Sequence, residues 1–343
     1  MIPAIFSPAG LALTDAERGF FAEVDPAGYI LFGRNVESRE QLRRLTDELR
    51  ILHGRDDLLI SVDQEGGRVS RMKPPEWEAY PPGGVFAALW DIAPASAIEA
   101  VRANAELIGR DLDEVGINVD FLPLLDVRRP EGHDVIGDRA LGCEPKQVAA
   151  LGRAVLDGLS RAGVTGCIKH IPGHGRALVD SHKDLPVVEV SEEELAVDIA
   201  PFATLADAPI AMSAHVVYTA WDKDHPATQS PFVIDEIIRK RIGFSGLLLT
   251  DDIDMEALDG TVPERAEKAI AAGCDIVLNC WAKMDDMTGI AARLPAISGA
   301  SAARLAAALS GTKANQNAPE RAELLATRDA LLGPVLGRVG HLA

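Results

Sequence analysis

Eight short apolar runs recur along the chain, spaced so that a helix fits between each pair. They are AIFS from Ala4, GYILFG from Gly28, LLISVD from Leu58, NVDFLPLLDV from Asn118, VTGCIKH from Val164, APIAMSAH from Ala208, GLLLTD from Gly246 and CDIVLNC from Cys274. Hydrophobicity within most of them is continuous rather than alternating, the pattern of parallel strands covered on both faces. Capping-box spacings at Thr14/Glu17, Ser38/Gln41, Ser96/Glu99, Ser191/Glu194 and Thr261/Glu264 predict helix starts, because the hydroxyl and the carboxylate or amide each satisfy an orphan backbone N–H. Gly116, Gly163, Gly243 and Gly273 stand after helical stretches and before strands, where a left-handed C-cap suits a residue without Cβ. Eight strand–helix repeats predict an α/β fold, a single-domain (β/α)8 barrel of the TIM type. The alternative is an open doubly wound sheet, which the lack of a GxGxxG or Walker-type loop weakens for nucleotide binding. The barrel domain is expected to span residues 1–343, with a core over about 3–297 and an Ala/Leu/Arg-rich helical tail over about 298–343.

Charge and composition narrow the partners. Lys plus Arg is 34 against 52 for Asp plus Glu, a net charge of −18, which argues against a nucleic-acid binder that must release counterions from phosphates. No run approaches the roughly 20 apolar residues a membrane span needs. The first twenty residues carry no basic region followed by an apolar core, so a cytoplasmic location is expected. The four cysteines form no CxxC pair and are expected to be free thiols. A small-molecule substrate, a monomeric chain and no cofactor complete the expectation.

Polar residues cluster just past the apolar runs: Asp63, Asp126, Lys169 with His170, His215 and Asp251. Charges are costly inside an apolar layer, and the C-terminal mouth of a barrel is where they would serve a site. Asp63 opens the stretch VDQEGGRVSRM, whose paired glycines allow close backbone approach and whose Arg68 and Arg71 offer planar donor forks. Asp251, Asp252 and Asp254 suit a nucleophile, a proton donor, a Mg²⁺ or Ca²⁺ site or simply a helix cap. The stretch CIKHIPGHGRALVDSHKDLP holds His170, His174 and His182. Three zinc ligands are one reading, but Pro172, Gly173 and Gly175 break the helix that would place two histidines one turn apart. Asp180 and His182 make a better pair: two residues apart in an extended segment they face the same side. A carboxylate there fixes the histidine tautomer and stabilises the imidazolium, leaving a mobile acid/base. A solvated loop histidine is the bland alternative.

Together VDQEGGRVSR, VIGDRALG, KHIPGHG, VDSHKDLP and LLTDDIDM, several of them in the same order, resemble glycoside hydrolase family 3, and within it the bacterial β-N-acetylglucosaminidases, over about residues 3–282. The resemblance implies a barrel that hydrolyses terminal β-linked N-acetylglucosamine with retention, through a covalent glycosyl-enzyme. It matches Asp251 to the nucleophile, His182 to the general acid/base and Asp180 to its partner. Asp63, Arg71, Arg139, Lys169 and His170 match residues that hold the sugar. No metal or organic cofactor is implied. The implied substrate is N-acetylglucosamine linked to 1,6-anhydro-N-acetylmuramic acid, with or without peptide, in peptidoglycan recycling. Relatives with a second α/β domain draw their acid/base from it, whereas here it must lie within the barrel. Arg176–Ala177 stands where the family commonly has Asp-Thr, Gln64 replaces a frequent His, Ile171 a frequent Phe, and the last strand ends in LNCWAKMDD. Competing readings are a glycoside phosphorylase, since a histidine acid/base does not repel phosphate, a non-catalytic amino-sugar-binding protein, and a metallohydrolase.

Overall fold

The computed structural model describes residues 1–129, 132–181, 184–310 and 319–339. Each of the eight apolar runs forms a strand: β1 (Ile2–Phe6), β2 (Pro26–Leu31), β3 (Leu59–Val62), β4 (Val119–Asp120), β5 (Thr165–Ile171), β7 (Ile210–Ser213), β9 (Leu247–Asp252) and β10 (Ile276–Leu278). They close into a parallel barrel in the order β1-β10-β9-β7-β5-β4-β3-β2. β6 (Val187–Val188) and β8 (Val217–Tyr218) form a separate two-stranded sheet that ties the segment after Asp184 to the loop leaving β7. The fourth run is long in sequence but short as a strand. Pro123 has no N–H for the ladder, so pairing continues only through single bonds such as Leu125 N–H to Lys169 O at 2.7 Å.

Around the barrel run α1 (Asp15–Val24), α2 (Arg39–His53), α3 (Gly83–Trp90), α4 (Pro94–Glu114), α5 (Pro145–Arg161), α6 (Glu192–Thr204), the helical segment Val233–Arg241, α7 (Val262–Ala272) and α8 (Met284–Arg293). Thr14, Ser38, Ser191 and Thr261 cap their helices as expected. Ser96 does not: α4 begins two residues earlier, with Ala93 at the cap and Pro94 in the first position. A proline there has no N–H to leave unsatisfied and its φ is already helical, so it displaces the hydroxyl signal. Gly116, Gly163, Gly243 and Gly273 all take positive φ at helix ends.

Ile5, Ile30, Val119, Cys167, Leu247 and Ile276 pack in the barrel interior, a filled core rather than a pore. The tail folds as two helices, α9 (Gly299–Ser310) and α10 (Arg321–Val339). α9 inserts Leu305 and Ala308 into the interior cluster, and the Thr165 hydroxyl at the start of β5 donates to Ala308 O at 3.0 Å. Asp275, buried before β10, accepts from Ser301 and Arg304 of α9, both at 2.8 Å, and from Arg239. α9 therefore seals the N-terminal end of the barrel. α10 buries Leu324 and Leu332, and its Arg321 reaches Asp111 of α4 at 2.9 Å. Among the described residues no helix is long and apolar enough to cross a membrane.

Candidate active site

The open, C-terminal end of the barrel holds a cavity of about 600 Å³. Its floor is an ionic cluster built on β3, β5 and the loop after β4. Lys169 on β5 is fully buried, with Nζ 2.9 Å from Asp63 Oδ1 and 2.7 Å from Glu65 Oε1. Arg71 reaches the other Asp63 oxygen at 3.1 Å. Arg139 grips Glu65 through two bonds of 2.8 Å. Burial would push both carboxyls up, but Lys169 with Arg71, and Arg139 with Lys169, more than offset it and hold Asp63 and Glu65 below the usual range. Lys169 stays protonated because Asp63 and Glu65 outweigh its desolvation. Three cations against two carboxylates give the floor fixed donors and fixed acceptors, the complement of sugar hydroxyls that do both.

The loop VDQEGGRVSRM takes its shape from Gly66 and Gly67, both at positive φ. A Cβ on Gly66 would stand 2.4 Å from Pro81 O, so the glycine is required by close approach as well as by its dihedral. Gln64 braces the loop by accepting from the Arg71 and Met72 amides at 2.8 and 3.0 Å. Arg68 turns away from the floor and holds the next loop, through Asp138 at 3.0 Å and the carbonyls of Asp134 and Val135 at 2.8 Å.

His170 stands beside Lys169. Its Nδ1 lies 2.7 Å from Asp126 Oδ2, which fixes the tautomer and turns Nε2 toward Asp251, 4.0 Å away. Burial raises the Asp126 carboxyl, yet His170 and the His174 amide bring it down to about 2. His174 packs edge-on against His170, with centroids 5.6 Å apart. Burial and the neighbouring His170 push its imidazole down to about 4. It is therefore neutral at pH 7, and its Nε2 lies 3.3 Å from Ser181 Oγ.

Asp251, the next-to-last residue of β9, stands on the cavity wall, where its Oδ1 accepts the Asp252 amide at 2.8 Å. Asp252 faces β10 and accepts from the Cys280 amide and the Trp281 indole at 3.2 and 3.1 Å. Asn279 and the Cys280 amide bind Asp254. Burial, and for Asp252 the adjacent Asp254, push both carboxyls up from the usual range. His215 does not reach the cavity. It is buried between Thr228 Oγ1 at 2.8 Å and Asp252 O at 3.0 Å, and so positions the end of β9 from behind.

The chain leaves β5 through Pro172–Gly175 into a loop that crosses the mouth. Gly175 runs so close beneath the fourth strand segment that a Cβ would meet Val127 O at 2.0 Å. Arg176 anchors the loop to α6 by donating to Asp198 at 2.5 Å, and the Ala177 carbonyl accepts from the His133 amide at 2.9 Å. Residues Arg176 and Ala177 thus give this loop its own tether. Asp180 and Ser181 line the cavity, whereas His182 lies outside the described residues. Of the sequence-predicted residues, Asp63, Arg71, Arg139, Lys169, His170, Asp180 and Asp251 all line this one cavity. Glu65 and Asp126 hold the floor cations and His170. Their partners stand 74 and 44 residues away, a separation that leaves no local signal. Among the described residues no three His, Cys, Asp or Glu side chains are grouped to hold a metal.

The model of the glycosyl hydrolase family 3 N terminal domain matches residues 10–309. The chain belongs to this family. As a family 3 member it is a glycoside hydrolase, and its relatives agree with the site. It is 40% identical over 287 residues to a β-hexosaminidase of Chromobacterium violaceum, covering 81% of this chain and 78% of the relative. It is likewise 40% identical to a β-hexosaminidase of Alkalilimnicola ehrlichii, covering 81% and 80%. The crystal structure of NagZ from Neisseria gonorrhoeae in complex with N-trifluoroacetyl-D-glucosamine superposes with a TM-score of 0.87 at 32% identity, covering 96% of this chain and 98% of that one. A family 3 β-N-acetylglucosaminidase from Paenibacillus gives 0.86 at 30% identity, covering 96% of this chain and 66% of that one.

Proposed function

We propose that this family 3 enzyme is an exo-acting, retaining β-N-acetylglucosaminidase. The observation that carries the reading is the cavity itself. Asp251, on the wall, faces a floor whose other carboxylates are bound to cations, with His170 Nε2 4.0 Å away. Asp63 and Glu65 are committed to Lys169, Arg71 and Arg139, and therefore serve as acceptors for sugar hydroxyls rather than as nucleophiles. Asp251 attacks the anomeric carbon as the glycosidic C–O bond breaks through an oxocarbenium-like transition state. The departing oxygen takes its proton from His182. Water then gives a proton back to His182 and its oxygen to the anomeric carbon, releasing Asp251. Asp180 stabilises the imidazolium as it forms. Asp63, Arg71, Arg139, Lys169 and His170 place the ring so that the reacting atoms meet.

The proposed natural substrate is N-acetylglucosamine linked to 1,6-anhydro-N-acetylmuramic acid. Its support is the motif resemblance and the match to bacterial β-hexosaminidases. A monomeric, cytoplasmic enzyme of peptidoglycan recycling is proposed with it, and the four free thiols suit a reducing compartment. Proton NMR of the first minutes of hydrolysis tests the chemistry. The β-anomer of N-acetylglucosamine should form first, and a first-formed α-anomer would rule out the covalent route. Phosphate in the assay should leave the rate unchanged. A sugar 1-phosphate product would instead make the enzyme a phosphorylase.

A further inference from the structure

The loop after β10 places an aromatic ring at the mouth of the cavity. Trp281 lines the cavity yet is 61% exposed. An indole left this open adds little to the core, and Trp77, by contrast, is only 4% exposed. The ring is nonetheless held in place. Its Nε1 donates to Asp252 Oδ2 at 3.1 Å, and the Lys283 ammonium sits 5.2 Å from its centroid. Asp252 in turn donates its amide to Asp251 Oδ1 at 2.8 Å. Two consecutive hydrogen bonds thus register the indole to the proposed nucleophile.

Depth orders the cavity. The Lys169 side chain is 2% exposed, that of Asp251 18%, and Trp281 is at the rim. A terminal sugar gripped by the floor would leave the group beyond the scissile bond at the level of the indole. We propose that Trp281 is the platform of an aglycone subsite that takes a pyranose ring, which rests on the reading of the cavity as a glycosidase site. The axial C–H groups of a β-linked pyranose form an apolar, slightly positive face, and the indole offers a flat, negative π face. Stacking selects for a ring rather than for particular substituents, so the subsite favours disaccharides over small leaving groups.

The test compares Trp281→Ala and Trp281→Phe on chitobiose, which has a pyranose aglycone, and on N-acetyl-β-glucosaminyl fluoride, which has none. Trp281→Ala should lower kcat/KM for chitobiose about tenfold and leave the fluoride within about twofold. Trp281→Phe keeps a ring but loses the bond to Asp252, and should retain most of the chitobiose activity. Equal losses on both substrates, or a Phe variant as poor as the Ala variant, would assign Trp281 to positioning Asp252 and overturn the proposal. Calorimetry with thio-linked chitobiose and with N-acetylglucosamine reads the subsite without turnover. The disaccharide should bind about fivefold or more tighter to the wild type, and this margin should vanish in Trp281→Ala. No margin in the wild type would overturn the subsite even in an active enzyme. A margin in a protein that hydrolyses neither substrate would retain the subsite and sink the glycosidase reading.

Discussion

Two groups of carboxylates near the cavity behave in opposite ways. On the floor, Asp63 and Glu65 each meet cations, which hold their carboxyls below the usual titration range. At the end of β9 and β10, Asp252 and Asp254 meet amides, Asn279 and an indole, and burial pushes their carboxyls up instead. Desolvation pushes the carboxyls up on both sides. The difference lies in whether a cation reaches the carboxylate, since desolvation alone favours the neutral acid. Asp251 stands beside both groups, 4.0 Å from the His170 imidazole on one side and accepting the Asp252 amide on the other.

The contrast can be broken at either end. Asp251→Ala should reduce kcat about 10⁴-fold or more while leaving the melting temperature nearly unchanged. Azide, a small external nucleophile, should restore part of the rate by forming an α-glycosyl azide. Lys169→Met should come next. It leaves two buried carboxylates short of a cation, which costs about 3–5 kcal/mol, and it should lower both the melting temperature and kcat/KM. Asp252→Asn is the opposite control. Because burial already favours the neutral form of Asp252, the replacement should change stability by less than about 1 kcal/mol, and a loss as large as that of Lys169→Met would show that Asp252 is ionised. Arg176→Ala, which frees the loop from Asp198, should lower kcat about threefold with little change in thermal stability.

The smallest effect concerns pH. His174 is neutral in the fold, lowered to about 4, whereas an unfolded histidine titrates near 6.5. Below pH 6.5 the unfolded chain therefore binds a proton that the folded chain does not, and stability falls as pH drops from about 6.5 to 4. Asp126, at about 2 in the fold, adds a loss of the same sign as pH falls from about 4 to 2. His174→Asn should flatten the melting-temperature profile between pH 6.5 and 4 by about 2 °C or more. An unchanged slope would place the buried proton acceptor elsewhere.

The alternation of apolar runs with capped helices made the barrel legible, because strand and helix signals are local. Thr14 and Gly273 each announce a boundary within a few residues. Ser96 misled because Pro94, two residues earlier, offers a better start. The residues at strand ends were readable as a set, and four of them, Asp63, Lys169, His170 and Asp251, line one cavity. What could not be read was the pairing. Arg68 and Arg71 look alike in VDQEGGRVSRM, yet one holds the loop at Asp138 and the other holds Asp63. Which arginine turns inward depends on a loop some seventy residues away. β6 and β8, two residues each, were likewise invisible, since their pairing is set by the loops they join rather than by their own sequence.

The brace from α10 has a consequence for the order of assembly. Gly67 of the floor loop donates to Tyr80 O at 2.8 Å, and Tyr80 OH donates to Asp111 at 2.5 Å. Asp111 is in turn paired with Arg321, 210 residues later in the chain. A ribosome adding about 5–20 residues per second needs about 10–40 s to span that interval. β1 must likewise wait for β10 before the barrel can close. The brace behind the loop that carries Asp63 and Glu65 is therefore among the last contacts of the fold to form, long after the loop itself has been made.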